Sequence, residues 1–313
     1  MKIVYLGSGM FGVPTLERLA AEHEITGIVT QPDRRVGRGK NLTATPVGQW
    51  AAEHLPGVPV VKPEKINTDE ARETIRGWEA DAWVVIAYGQ YLGSKLIVDR
   101  LAINLHGSRL PRWRGAAPIN AAIVAGDSIS GNSVITIAKE MDAGFVLGQS
   151  ERLIEPTMTA SELHSALSLD GPELVLGVLK DFAHGRVRML EQDEGLVTVA
   201  GKMFKRDGWI DFSGDADMCR CRVNGLSPWP CVVVEHRGQV LKVLRAESYM
   251  IESQEVPGTI VDASEGLVAC GVGTLRLLEV QPRGKKQMDW QAYANGRRVK
   301  DGEMLIWRKV DLK

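Results

Sequence analysis

The residues with the clearest chemical potential in this chain of 313 residues are Asn104 and His106, in Ile103-Asn104-Leu105-His106-Gly107 at the end of an apolar β-type run. In an extended strand alternate side chains share a face, so this spacing sets a carboxamide beside an imidazole. An amide N–H can stabilise a carbonyl oxygen as it gains negative charge, and an imidazole beside it can carry a proton or a positive charge. The pair suits attack on a carbonyl carbon. Spacing alone also fits a plainer arrangement, a hydrogen-bonded strand end that never meets a substrate. Asp142, in Met141-Asp142-Ala143-Gly144, reads by itself as a turn aspartate.

A second motif points elsewhere. Gly7-Ser8-Gly9-Met10-Phe11-Gly12 has the GxGxxG spacing of a dinucleotide-binding turn between a strand and a helix, and Asp33 lies downstream where a ribose-binding acid would be sought. It makes an NAD(P)-binding oxidoreductase the alternative of a different class. Against it, Asp33 stands in Gln31-Pro32-Asp33-Arg34-Arg35, among turn residues and arginines, and nothing downstream supplies a redox centre. The glycines equally suit close packing of a first helix on the sheet.

Both motifs need a sheet to position them. Residues 2–6 read as a strand, 11–21 as a helix and 25–30 as a second strand; further β-type runs at 82–87, 102–105 and 134–138 alternate with helical patterns at 68–78 and 116–124. Such alternation predicts an α/β fold with a doubly wound, mostly parallel Rossmann-like sheet, and Asn104 falls at the carboxyl end of a strand, where such sheets bind ligands. A long helix over 159–182 closes this part. Short strand-like runs at 232–235, 241–245, 258–261, 267–270 and 275–280, separated by Gly and Pro, predict a smaller β-barrel. The resulting division is a domain over 1–188, a linker over 189–205 and a second domain over 206–313.

The balance of 38 basic and 39 acidic residues, with a formal charge of −1, gives no global pull on a polyanion. Local clusters differ: Arg34, Arg35, Arg38 and Lys40 crowd one segment, and Arg283, Lys285, Lys286, Arg297 and Arg298 another. No apolar run reaches the roughly 18 residues of a membrane span, and the first residues lack a signal-peptide core, so a cytoplasmic protein is expected. Cys219, Cys221, Cys231 and Cys270 form neither a disulfide framework nor a metal-spaced set, which predicts reduced, buried thiols and no metal.

The segment Asn104-Leu105-His106-Gly107-Ser108-Arg109-Leu110-Pro111-Arg112-Trp113-Arg114-Gly115-Ala116-Ala117-Pro118 resembles the signature of the 10-formyltetrahydrofolate-dependent formyltransferases. The likeness extends to Gln31–Lys40, Val84–Gly89, Met141–Gly144, Ser227-Pro228-Trp229-Pro230, Gln281–Met288 and Asn295-Gly296-Arg297-Arg298, nearly the whole chain. It implies a formyltransferase domain followed by an OB-like barrel. By this resemblance Asn104, His106 and Asp142 are the catalytic residues, and Ser108, Leu110 and Pro111, with Ile86, Ala87, Tyr88, Gly89 and residues 137–142, line the site of the folate co-substrate. Two departures stand out: Arg109 occupies a position usually held by Leu, and Gly7-Ser8-Gly9-Met10-Phe11 replaces the family's Gly-Thr-Pro-acidic-Phe turn.

The resemblance further implies transfer of a formyl group from 10-formyltetrahydrofolate to the α-amine of methionyl-tRNA for translation initiation, by a protein acting as a monomer. Initiator tRNA would meet Arg34, Arg35, Arg38 and Lys40, with Phe11, while Lys285 and Lys286 of the second domain hold the backbone; Gly37 and Gly39 predict a mobile loop around Arg38. Relatives that formylate an amino sugar on a nucleotide share the Asn, His and Asp centre and are the nearer alternative; they have no need of the basic loop.

Overall fold

The computed structural model describes residues 1–36 and 41–307. Strand β1 (Lys2–Gly7) leads through a 3₁₀ turn into helix α1 (Val13–Glu22) and strand β2 (Glu24–Val29). Helix α2 (Pro46–His54), strand β3 (Val60–Val61), helix α3 (Asp69–Arg76) and strands β4 (Ala82–Ile86) and β5 (Leu101–His106) follow. After helix α4 (Pro118–Val124) come strands β6 (Ser133–Thr136) and β7 (Val146–Gln149) and the long helix α5 (Ala160–Ala183).

These seven strands form one sheet in the order β7-β6-β5-β4-β1-β2-β3. The run from β3 to β5 is parallel, and β6 and β7 add antiparallel to it. Every residue of β4 is buried, as expected of a strand covered on both faces. The core on this sheet is built from Val4, Leu6, Val29, Ile75, Trp83 and Leu96. Helices α2 and α3 start where threonine hydroxyls accept from otherwise unpaired backbone N–H groups, Thr45 from Gly48 and Thr68 from Ala71. Arg34–Val36 and Asn41–Thr43 pair antiparallel where a basic loop was expected, and residues 37–40 of that loop lie outside the described residues.

The second sheet is antiparallel. Its strands β8 (Val232–His236), β9 (Gln239–Tyr249), β10 (Ile260–Asp262), β11 (Leu267–Ala269), β12 (Thr274–Pro282) and β13 (Leu305–Ile306) lie in the order β10-β11-β12-β9-β8-β13. The two ends of that path meet: the N–H of Ile260 donates to the carbonyl of Glu303 at 2.7 Å, and that of Leu305 to Gly258 at 2.8 Å. Joining the edges satisfies backbone groups that an open sheet would expose.

Two helices, Ala216–Gly225 and Trp290–Arg297, fill this barrel-like fold, and periodicity did not reveal either. The first buries small side chains, Ala216, Cys219 and Val223; the second is two turns long, with Trp290, Tyr293 and Ala294 inward. The four cysteines are free and buried.

By packing, the chain divides into two compact units. One comprises 1–115, 131–152 and 164–199; the other comprises 116–130, 153–163 and 200–313. Side chains of the second sheet and its helix draw in the early segments. Arg220 and Asn224 donate to the carbonyl of Pro156, Arg245 pairs with Glu162 at 2.7 Å, and Asn120 donates to the carbonyl of Gly225 at 2.7 Å.

His236, almost fully buried, sits between the Tyr293 hydroxyl at 2.7 Å and a Glu303 carboxylate oxygen at 2.8 Å. Glu303 also accepts from Arg237, which is the main reason its carboxyl is held down to about 2, with His236 and the Lys300 N–H adding to it. A depressed carboxyl contributes stability in full above its unfolded value near 4.5 and loses it as pH falls toward about 2. Glu303→Gln should therefore lower the unfolding temperature at neutral pH, and the gap to the wild type should close on acidification across that window. Parallel acid responses in calorimetry would contradict this account.

Candidate active site

Strand β5 ends the parallel part of the sheet, flanked by β4 on one side and β6 on the other. Its last residues are fixed in register from both: Asn104 lies opposite Val85 and Ile135, and His106 opposite Ser133. Asn104 is half-buried, and among the described residues no hydrogen bond engages its carboxamide. His106 is 7% exposed, its Nε2 at 2.9 Å from the carbonyl of Trp113. A carbonyl only accepts, so Nε2 carries the proton.

The other ring nitrogen faces Asp142. Nδ1 lies 3.6 Å from Oδ2, an ion-pair distance longer than a direct hydrogen bond. With Nε2 donating, a neutral ring would turn a lone pair toward the carboxylate, and the contact is attractive only when the ring carries both protons. Oδ2 of Asp142 in turn accepts from the N–H of Gly115 at 2.9 Å. Asp142, on the β6–β7 connection, is 15% exposed at its side chain and holds φ at 54°, a left-handed conformation that aspartate tolerates better than most residues. His106 and the distant turn aspartate thus come together, joined through the backbone of 113–115, and Asn104 stands two residues before His106 on the same strand.

The expected folate-lining residues divide by exposure. Ala87 and Gly89 are exposed at the carboxyl end of β4, with φ of 48° and 87°. Ile86, Tyr88, Ser108 and Leu110 are buried, and Pro111 is half-buried, so the buried four shape the wall with backbone rather than offering side chains. The Tyr88 carbonyl accepts from Gln31 Nε2 at 3.0 Å and Ser8 Oγ at 3.3 Å. The Ser108 hydroxyl donates to the carbonyl of Arg112 at 2.7 Å. Arg109, the departure from the family pattern, reaches outward to Glu151 at 2.6 Å, while Leu110 beside it packs on Ile135 and Val146.

The GxGxxG turn is used for packing. A Cβ on Gly12 would stand 2.1 Å from the Tyr5 hydroxyl, which donates to the Gly12 carbonyl, and one on Gly7 would stand 2.8 Å from the Ile86 carbonyl. Asp33 is paired with Lys62 at 2.6 Å. The glycines bring the chain against β4, as the packing alternative anticipated.

Of the expected tRNA contacts, Arg34 and Arg35 are exposed on the hairpin, and Lys285 and Lys286 are exposed in the turn after β12. Arg38 and Lys40 lie outside the described residues. Phe11 is a correction: it is 6% exposed and packs edge-on against His164, so it offers almost no surface. Sequence reasoning missed the groups that hold the centre, the Trp113 carbonyl, the Gly115 N–H, Arg114 and Gln192. Arg114 lies inside the recognised motif; Gln192 lies in an aperiodic stretch read as linker and carried no signal.

Residues 1–179 match the family model described as formyl transferase, and residues 202–298 match that of the formyl transferase C-terminal domain. Methionyl-tRNA formyltransferase of Methylococcus capsulatus is 40% identical over 299 residues, covering 94% of this chain and 96% of that protein. Among solved structures, an N-formyltransferase from Helicobacter canadensis in complex with folinic acid and dTDP-3-aminofucose is 12% identical with a TM-score of 0.67, covering 90% of this chain and 99% of that one. HypX from Aquifex aeolicus in complex with tetrahydrofolic acid is 17% identical with a TM-score of 0.62, covering 96% of this chain and 48% of that one.

The loop after His106 depends on one buried hydroxyl. Ser133 Oγ donates to the Ser108 carbonyl at 2.7 Å and accepts from the Leu110 N–H at 3.0 Å and Gln149 Nε2 at 2.8 Å. Ser133→Ala leaves those groups unpaired, which should cost about 1–3 kcal/mol in urea-induced unfolding. A loss below about 0.5 kcal/mol, as at an ordinary surface position, would count against this role.

Proposed function

This chain belongs to the formyl transferase family in both of its domains, and we propose that it transfers the formyl group of 10-formyltetrahydrofolate to the α-amine of methionyl-tRNA. The observation that carries this reading is near-full-length likeness to a methionyl-tRNA formyltransferase together with the meeting of Asn104, His106 and Asp142 at the end of β5. The acceptor amine attacks the formyl carbon, and the carbonyl oxygen becomes an oxyanion. The free carboxamide of Asn104 is suited to donate to that oxygen, and His106, charged or hydrogen-bonded, adds electrostatic stabilisation nearby. Asp142 takes the proton the amine must lose, directly or through water; as the oxyanion collapses, the bond between the formyl carbon and N10 breaks, N10 receives that proton and tetrahydrofolate leaves.

The formyl donor fits this end of the sheet. Ala87 and Gly89 leave backbone exposed where β4 ends, beside the buried Ile86, Tyr88, Ser108 and Leu110. For tRNA, Arg34, Arg35, Arg38 and Lys40 on one unit and Lys285 and Lys286 on the other supply the cations that phosphate contacts need, and such binding weakens steeply with salt. The overall charge of −1 leaves this attraction to those clusters alone. Among the described residues no helix is long and apolar enough to cross a membrane.

Losing one oxyanion donor costs a reaction about 2.7–4 kcal/mol of barrier, so Asn104→Ala should slow formylation of methionyl-tRNA roughly 100- to 1000-fold with the fold intact. The assay follows labelled formyl groups from 10-formyltetrahydrofolate to charged tRNA. Wild-type turnover in a folded Asn104→Ala protein would sink the catalytic assignment.

A further inference from the structure

Asp142 must hold its carboxylate toward His106 while its backbone stays in the left-handed region, which L-residues seldom adopt. Such a conformation persists only where the surroundings over-determine it. The Gly115 N–H ties the carboxylate, and Gln192 ties the backbone. Its Nε2 lies 2.8 Å from the carbonyl of Asp142 and 2.8 Å from that of Gly144, one amide hydrogen for each.

What faces its oxygen fixes the direction of the Gln192 amide. Oε1 accepts from Nε of Arg114 at 2.9 Å, and a guanidinium only donates, so a flipped amide would set donor against donor on one side and acceptor against acceptor on the other. Arg114 is 7% exposed, and its terminal nitrogens close on the two carboxylate oxygens of Glu194 at 2.8 and 3.3 Å. Arg114 is also the middle residue of the segment whose Trp113 carbonyl meets His106 and whose Gly115 N–H meets Asp142. The contacts therefore close a circuit. The backbone of 113–115 orients the two catalytic side chains, and the side chain of 114, through Gln192, orients the main chain that carries one of them.

We propose that Gln192 is a positioning residue for formyl transfer, holding Asp142 in its left-handed conformation and at its distance from His106, with Arg114 and Glu194 fixing the direction of its amide. It touches no substrate and acts through Asp142, so this inference rests on Asp142 being the carboxylate that handles the amine proton. The amide contributes two donors, one for each carbonyl.

The test uses the full-length protein, 10-formyltetrahydrofolate and methionyl-tRNA. Gln192→Met keeps length and volume without donors, and Gln192→Glu keeps an acceptor for Arg114 while turning a carboxylate toward the two carbonyls. Each is compared with the wild type by circular dichroism, and the cycle is read on the variants that keep its spectrum. Displacing a catalytic group by about 1 Å costs up to roughly 100-fold, so kcat should fall about 10- to 100-fold with KM for either substrate changed less than about threefold. The pH dependence of kcat should also be displaced, which a general loss of stability would not do.

Combination with Asp142→Asn completes the cycle. If Gln192 acts through Asp142, adding Gln192→Glu to Asp142→Asn should lower kcat by less than about threefold beyond the single variant. Wild-type kcat in both folded Gln192 variants, a change in KM alone, or losses that multiply in the double variant would overturn the proposal. Wild-type turnover in Asp142→Asn by itself would instead overturn the proton-handling role of Asp142, a failure read from a different variant.

Discussion

Three consecutive residues, Trp113 to Gly115, must face two ways at once, and the proposed reaction centre depends on their doing so. The Trp113 carbonyl is offered to His106 and the Gly115 N–H to Asp142. Arg114–Gly115 pairs as a short strand with Val199–Ala200, so the Arg114 N–H turns to Thr198 while the Trp113 carbonyl and the Gly115 N–H turn the other way, to His106 and Asp142. Here Trp113 holds φ at 66° and Gly115 at 121°, a conformation the second can adopt because it lacks a Cβ. The segment is anchored from outside by Thr198, whose hydroxyl accepts from the Trp113 N–H and whose carbonyl accepts from the Arg114 N–H, both at 2.9 Å. Ala87, Trp113 and Asp142 are all non-glycine residues with left-handed backbone, and all stand around this centre, the pattern expected where geometry is held for chemistry at some cost in stability.

The same constraint explains why the centre is held largely by main chain and amides rather than by further charges. A second carboxylate beside Asp142 would compete for the His106 proton, and a free cation would draw Asp142 away from it. Peptide groups and the Gln192 amide are neutral, fixed in direction and unable to titrate. The one charged member of the support, Arg114, is neutralised by Glu194 and turned away from His106 and Asp142, so that its charge is spent on orientation.

The sequence made the scaffold legible because a parallel sheet covered on both faces leaves long apolar runs: Ala82–Ile86 and the run into Asn104 could be read as strands, and the helix closing the first part falls within one residue of its expected ends. The second sheet was visible as short alternating runs, but Ala216–Gly225 was not visible as a helix, since its inward face is alanine, cysteine and valine spread among Asp217, Arg220 and Arg222. Asn104 and His106 were legible as a pair because one strand holds both. Asp142 was not, since its partner comes from another strand and the contact exists only once β6 has paired with β5; only family resemblance singled it out. Gln192 left no trace at all, because its role depends on the direction of one amide, and local spacing carries no information about that.

Arg109 shows how a departure from a family pattern can leave the site unchanged. The loop after His106 needs a buried hydroxyl at 108, a buried apolar side chain at 110 and a backbone held by Ser133; position 109 between them points outward. An arginine there places its charge against Glu151, at a side chain 41% exposed, where an ion pair is worth little, and leaves its buried Nε without a hydrogen-bond partner. The opening turn follows the same logic. Replacing the family residues with Ser8-Gly9-Met10 produced a dinucleotide-like spacing, yet what the fold requires there is only that Gly7 and Gly12 leave room for Tyr5 and Ile86. Motif spacing alone could not separate the two readings, because it matches a pattern whose physical demand, a backbone open to phosphate, differs from the demand met here, a helix start pressed against its own sheet.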